Sequence, residues 1–338
     1  MADRAAALAA FLAQAGWSLA ERRHLAGDAS DRRYERLRMA AATAVLMDNP
    51  PGGADDPRAF SAMARHLRGL GLSAPAILAE DLQHGFLLLE DLGDDLYARL
   101  LAADPGREMA LYGAAVDVLV HLQRAAAPPG LDDLTAGDWA GAACHAPDHY
   151  ARAVTGAQPD TTVFRAALAR ALSDHADGPR VLILRDYHAE NLLWLPGRAG
   201  LARVGLLDFQ LGQLAQPGYD LVSLLQDARR DVAPATETAM IRRFVAATQA
   251  DPVAFAAQYA VLGAQRALRI LGVFTRLGLV AGKPQYLRLI PRVWGHLQQN
   301  LSHPALEALS AACRDILPEP TPEALSAIES RCPPSPSR

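Results

Sequence analysis

Two rhythms of apolar and polar positions divide this chain. Between residues 17 and 92, short apolar runs alternate with polar residues in "WSLAERRHLAG", "YERLRM", "TAVLMD", "APAILAEDL" and "GFLLLEDLG". Period-two alternation broken by Gly, Asp and Pro turns predicts antiparallel hairpins, and so a sheet of about five strands. Two helices accompany it. "MADRAAALAAFLAQAG" sets Leu8, Phe11 and Leu12 at helical spacing, and "DPRAFSAMARHLRGLG" has Asp56 before Pro57 as its start and Gly69 and Gly71 as its stop. From residue 94 the period lengthens to that of helices, predicted at 94–102, 106–126, 136–154, 160–177, 218–227, 235–248, 252–277 and 284–314. The strand-like runs "RVLILRD", "NLLWL" and "LARVGLLDF" interrupt them.

The expected fold class is therefore α+β. A small antiparallel-sheet lobe over 1–92 would precede a larger helical lobe over 93–318, with a hinge at Glu90–Gly93 and a Pro- and Ser-rich flexible tail over 319–338. A length of 338 residues favours two lobes over one core.

Composition narrows the classes. A net charge of −4 argues against nucleic acid as a partner. No apolar run is long enough to span a membrane. The first residues read as a helix rather than a secretion signal. Three scattered cysteines, Cys144, Cys313 and Cys332, make neither a disulfide framework nor a metal-ligand spacing, which suits the cytoplasm. Every cationic side chain except Lys283 is an arginine.

One loop stands out. "LRDYHAENLLWLPG", residues 184–197, crowds Arg185, Asp186, His188, Glu190 and Asn191 between apolar runs. Asp186 and Asn191 are five positions apart, and Asp208 follows a strand 17 residues after Asn191, in "VGLLDFQ". Phosphoryl transfer from ATP requires such a set: a carboxylate to take the acceptor proton, and an amide and a second carboxylate for Mg²⁺. Hard oxygen ligands suit that ion. Asp186 is thus the candidate catalytic base, with Asn191 and Asp208 as metal ligands. His188 joins the catalytic set as the residue expected to orient the loop backbone. Glu190 reads as solvated and Asp220 as structural. The turn "GDASDRRY" offers Gly27, Asp28, Ala29 and Ser30 as a cover for phosphates. The backbone of Glu90 and Leu92 is expected to meet the adenine edge.

These segments resemble the aminoglycoside-phosphotransferase-like branch of the protein-kinase fold. "GDASDRRY", "VLMDNPPG", "GFLLLEDLGD", "RDYHAENLLW", "LLDFQLG", "YDLVSLLQD" and "GKPQYLRLIPRVWGHLQQNLSHPAL" together are similar to bacterial anomeric N-acetylmuramate/N-acetylglucosamine kinases. The resemblance implies a two-lobed kinase-like fold and ATP- and Mg²⁺-dependent phosphorylation of the C1 hydroxyl of an amino sugar, in cell-wall sugar recycling. The kinase motifs alone leave two rivals: a kinase of another small alcohol, such as an aminoglycoside or a choline-like compound, and a non-catalytic nucleotide-binding protein.

Two departures from the kinase pattern stand out. Met47 occupies the strand position of a phosphate-pairing lysine, and the helix from Pro57 lacks the glutamate that would hold that lysine. Arg33, just past the glycine turn, is the candidate replacement cation. Leu184 stands where protein kinases place a histidine. On the acceptor side, Gln265, Arg266, Arg269 and Arg276 share one helical arc, and Arg266, Arg269 and Arg276 are the candidates for a sugar carboxylate. Trp139 and Trp294 read as core.

Overall fold

The structure is a computed structural model that describes residues 2–26, 32–52 and 56–333. In chain order it runs α1 (Ala2–Gln14), β1 (Glu21–Ala26), β2 (Arg33–Met39), β3 (Ala42–Asp48), α2 (Pro57–Gly69), β4 (Ile77–Asp81), β5 (Phe86–Glu90), α3 (Tyr97–Ala103) and α4 (Glu108–Arg124). There follow α5 (Ala136–Ala143), α6 (Arg152–Thr155), α7 (Thr162–Ala176), β6 (Val181–Ile183), β7 (Leu192–Trp194), β8 (Val204–Leu206) and β9 (Gln213–Ala215). The rest is helical: α8 (Tyr219–Leu225), α9 (Pro234–Thr248), α10 (Pro252–Leu279), α11 (Ile290–Leu301), α12 (Glu307–Ile316) and α13 (Pro322–Glu329). The α+β class holds.

The first five strands form one antiparallel sheet in the order β1-β2-β3-β5-β4. Alternation assigns its two faces. Leu37, Ala44, Leu46, Phe86 and Leu88 share one buried cluster with Leu8, Phe11 and Leu12 of α1. Each leucine or phenylalanine among them contributes about 1.5–3 kcal/mol by leaving water. Arg4 of α1 lies over the Phe86 ring at 4.5 Å and pairs with Asp48. The opposite face carries Tyr34, Met47 and Leu87, which lie abreast across β2, β3 and β5.

Contacts divide the chain into two compact units. The first comprises Met1–Gly130 and Leu184–Gly212, the second Leu131–Ile183 and Gln213–Arg338. This differs from the division expected at residue 92, because backbone bonds bind the 184–212 hairpin to the segments before β4 and after β5. The Ala98 amide donates to the Ala189 carbonyl, Trp194 to Asp95, and Leu206 to Ser73. The β7–β8 hairpin, α3 and α4 therefore belong with the sheet.

In the second unit, α10 is buried along most of its length, and Asp251 caps it by accepting from the Ala254 amide at 2.7 Å. Two expected helices are broken. The span 136–154 holds α5, a turn of π-helix at Ala146–Ala151 and α6, with Pro147 removing an amide donor. The span 284–314 is interrupted by 3₁₀ turns at Pro284–Leu289 and Pro304–Leu306, each opening on a proline. The stretch from 319, expected as a flexible tail, carries α13, capped by Thr321 and anchored through buried Ile328.

Candidate active site

The polar loop is built by local constraint. The Asp186 amide donates to the Leu184 carbonyl at 2.9 Å, closing a three-residue turn around Arg185, whose φ is +70°. That is the strained hand of the γ-turn for an L-residue. Asp208 also has a positive φ, +54°. Only four non-glycine residues do so among those described, so half of this strain falls in one site. The loop is held from below by Tyr187, whose buried hydroxyl donates to the Ala115 carbonyl of α4 at 2.9 Å.

Asp186, Asn191 and Asp208 come together on this hairpin. Asn191 Nδ2 donates to the Asp186 carbonyl at 2.9 Å, and the Leu207 amide donates to the Asn191 carbonyl at 2.9 Å. Antiparallel pairing of Leu192 with Leu206 then sets Asn191 beside the start of the Asp208 turn. Among the described residues, nothing donates to the Asp186 carboxylate or to the Asn191 amide oxygen. Both oxygens are therefore left for a ligand. His188 is 4% exposed; its carbonyl accepts from the Asn191 amide, and its Nε2 lies 3.5 Å from Asn191 Nδ2. That position suits bracing of Asn191. Glu190 is exposed, and Asp220 is fully buried in the first turn of α8.

Asp208 is 41% exposed at its side chain and already engaged on one oxygen. Its Oδ1 accepts from Arg32 Nη2 at 3.1 Å and from Gln210 Nε2 at 2.8 Å. Phe209, next in sequence, is buried against Phe60 of α2, with ring centroids 4.9 Å apart. The donor set suits Mg²⁺: an amide oxygen and a carboxylate, with no group of three or more His, Cys, Asp or Glu among the described residues. An ion that keeps several waters and takes phosphate oxygens needs no larger protein cage.

At the hinge, Leu92 is half-buried, and neither its backbone N–H nor its C=O has a partner among the described residues. The Glu90 side chain turns away, accepting from the Ala76 amide at 3.1 Å and pairing with Arg198. Arg36 fixes the segment beyond, with Asp91 at 2.9 Å and Asp94 at 2.7 Å; its hydrogen bond holds the Asp94 carboxyl below the usual range.

Residues 21–260, most of the chain, match the phosphotransferase enzyme family. The chain belongs to that family. It is 41% identical to the N-acetylmuramate/N-acetylglucosamine kinase of Caulobacter vibrioides, over 91% of this chain and 95% of that one. It is 32% identical to the protein of the same name from Pseudomonas aeruginosa, over 80% and 81% of the two. Its fold is similar to that of a choline/ethanolamine kinase family protein from Mesorhizobium loti. There the TM-score is 0.62 at 17% identity, covering 93% of this chain and 99% of that one.

Other expected site residues fall elsewhere. Gly27, Asp28, Ala29 and Ser30 lie outside the described residues. Arg33 is exposed, and its register opposite Asp48 sets it on the α1 side of the sheet; its neighbour Arg32 is the arginine at Asp208. The arginine stripe of α10 runs from buried to exposed along the helix. Arg266 is 6% exposed and donates to Ser223 Oγ at 2.9 Å and to the Gln226 carbonyl at 3.4 Å. Arg269 is half-buried and Arg276 exposed. Both bear on His145, which burial first, and these arginines with His149 in addition, keep below the ordinary histidine value. Gln265 is buried and donates to the Trp139 carbonyl at 3.0 Å. Trp139 is core, 5.0 Å from the Tyr219 ring. Arg32, Tyr34 and Gln210 are the site residues that sequence reasoning missed.

No described helix is long and apolar enough to cross a membrane, and all three cysteines are free.

Proposed function

We propose that the protein transfers the γ-phosphoryl group of ATP to the anomeric C1 hydroxyl of N-acetylmuramate or N-acetylglucosamine, in the cytoplasm, in the recycling of cell-wall amino sugars. The observation that carries this reading is the 41% identity to the Caulobacter kinase along nearly the whole of both chains. The open Asp186 carboxylate and Asn191 oxygen on one strained loop support it independently. Free cysteines support a reducing compartment.

In this reading Asp186 accepts the proton of the sugar hydroxyl as its oxygen bonds to the γ-phosphorus. The bond from that phosphorus to the β–γ bridging oxygen breaks, and ADP leaves with the bond's electrons. Asn191 and Asp208 would hold Mg²⁺, which supplies charge neutralisation on the phosphates. The Leu92 amide and carbonyl serve the adenine edge, and His188 keeps Asn191 in place. Of Arg266, Arg269 and Arg276, the two more exposed, Arg269 and Arg276, are the partners we assign to the carboxylate of N-acetylmuramate. Replacing both by Ala is expected to raise KM for that sugar and leave KM for N-acetylglucosamine unchanged.

Phosphorus NMR of the product formed from N-acetylmuramate, ATP and Mg²⁺ tests the reaction. A C1 phosphate resonance is expected. A C6 phosphate, or no transfer to either sugar, would overturn the proposal.

A further inference from the structure

The nucleotide side of this protein lacks its expected cation. Met47 is fully buried at the strand position where a lysine would pair the phosphates, and α2 directs Phe60, Met63, Ala64 and Leu67 into the core, with no carboxylate among its buried residues. A phosphate-transferring site still needs positive charge beyond one metal ion. The sheet's own alternation shows where that charge has gone.

Met47 lies opposite Tyr34 on β2. Arg32 lies just before the first residue of β2, two positions from Tyr34; extended backbone there puts it on the Met47 side, whereas Arg33 leaves on the other. Arg32 Nη1 reaches the Tyr34 hydroxyl at 3.3 Å, and Nη2 reaches Asp208 Oδ1 at 3.1 Å. The arginine side chain is 8% exposed, against 41% for the aspartate. A nearly buried guanidinium therefore points at the edge of the metal-binding carboxylate, from the side of the missing lysine.

Resting on the kinase reading above, we propose that Arg32 is the cation that meets the β- and γ-phosphates of the nucleotide, and that Asp208 is its partner only until nucleotide and metal arrive. The oxygen that Arg32 holds is one that a divalent ion would take. A metal ion and Arg32 would compete for the same Asp208 oxygen, and a guanidinium displaced from it gains by meeting another anion. Phosphate oxygens provide one, in the planar two-point geometry that arginine matches and lysine does not. Metal and nucleotide phosphate thus support each other's binding: the ion takes Asp208, and the phosphates take Arg32. By linkage this coupling is reciprocal. The protein alone should bind a divalent ion weakly.

Calorimetry with ADP and AMP, and Mn²⁺ electron paramagnetic resonance without nucleotide, test this on the full chain. Arg32→Ala is expected to bind ADP with Mg²⁺ about tenfold or more weakly, the scale of a lost charge-assisted phosphate contact. AMP binding should be unchanged, and Mn²⁺ alone should bind more tightly than in the wild type. Arg32→Lys should regain part of the ADP affinity, which also guards against a folding defect in the alanine variant. Equal ADP affinity in wild type and Arg32→Ala would overturn the proposal. So would an equal loss for AMP, or the ADP loss appearing in Arg33→Ala instead. A wild-type protein that binds neither ADP nor AMP would overturn the nucleotide reading beneath it.

Discussion

Asn191 binds the carbonyl of Asp186 through its amide nitrogen, at 2.9 Å, which leaves its oxygen as the end that can face a metal. The two halves of one amide therefore have separable duties. Asn191→Asp keeps an oxygen ligand and loses the donor, so the loop loosens while metal binding survives. The expected result is a fall in kcat of about threefold to tenfold, the worth of one hydrogen bond, with little change in the Mg²⁺ concentration required. Asn191→Ala should impair both. If Asn191→Asp turned over like the wild type, the hydrogen bond would have no positioning role.

The Asp186 carboxylate has no donor among the described residues, so the fold does not depend on its charge. Asp186→Asn should melt within a degree or two of the wild type. Its kcat should fall by about 10²- to 10⁴-fold, the usual contribution of a positioned base, with ATP affinity nearly unchanged. Thermal melts, calorimetry and steady-state rates on one preparation check all three. A large drop in melting temperature would mean that Asp186 is structural.

The strands, and the loop that brings Asp186, Asn191 and Asp208 together, were legible because each rests on local chemistry: alternation, turn residues, fixed spacing. Arg32 was missed through neglect of that same alternation. Met47 lies opposite Tyr34 and Asp48 opposite Arg33, so the register puts Arg33 on the face away from Met47, and the contact of Arg32 with Asp208 was not sought. The burial of Arg266 was overlooked for a related reason. The sequence of α10 is apolar almost all round, which marks a buried helix, and an arginine in its buried part needs partners inside the fold. Ser223 and the Gln226 carbonyl provide that pairing. The placement of the 184–212 hairpin with the sheet was not legible, since it depends on backbone bonds such as Leu206 to Ser73 between distant segments.

His296 gives a pH dependence of defined sign. Burial lowers its affinity for a proton below the ordinary histidine value, and Arg266 and Arg292 add to this. Glu237 and a hydrogen bond with the Asp227 backbone oppose it. The unfolded chain therefore takes up this proton first as pH falls through about 6.5. The stability contribution is complete above that pH and is lost as pH drops towards the folded-state value. His66, His145 and His149 are shifted in the same direction, chiefly by burial. Urea midpoints at pH 8 and pH 5.5 should show the wild type weaker at the acid value, and His296→Gln should reduce that difference. A larger difference in the variant would reverse the assigned sign.

Two glycines in helices offer opposite outcomes from the same substitution. A Cβ at Gly272 of α10 would sit 1.9 Å from the His145 backbone carbonyl oxygen, at the entry to the π-turn. Backbone cannot swing aside as a side chain can, so Gly272→Ala must push α10 away from the segment that carries His145 and His149. The expected cost is about 2 kcal/mol or more. Gly113 of α4 meets nothing within 4 Å of its added Cβ. There the gain in helix propensity acts alone, and Gly113→Ala should stabilise by about 0.5–1 kcal/mol. Denaturant midpoints measure both. Gly113 lies in the unit that carries Asp186, and Gly272 in the other. ADP affinity should therefore survive in Gly272→Ala wherever that variant remains folded, because every residue assigned to the nucleotide lies in the first unit. Loss of ADP binding in a folded Gly272→Ala protein would show that the two units do not bind independently.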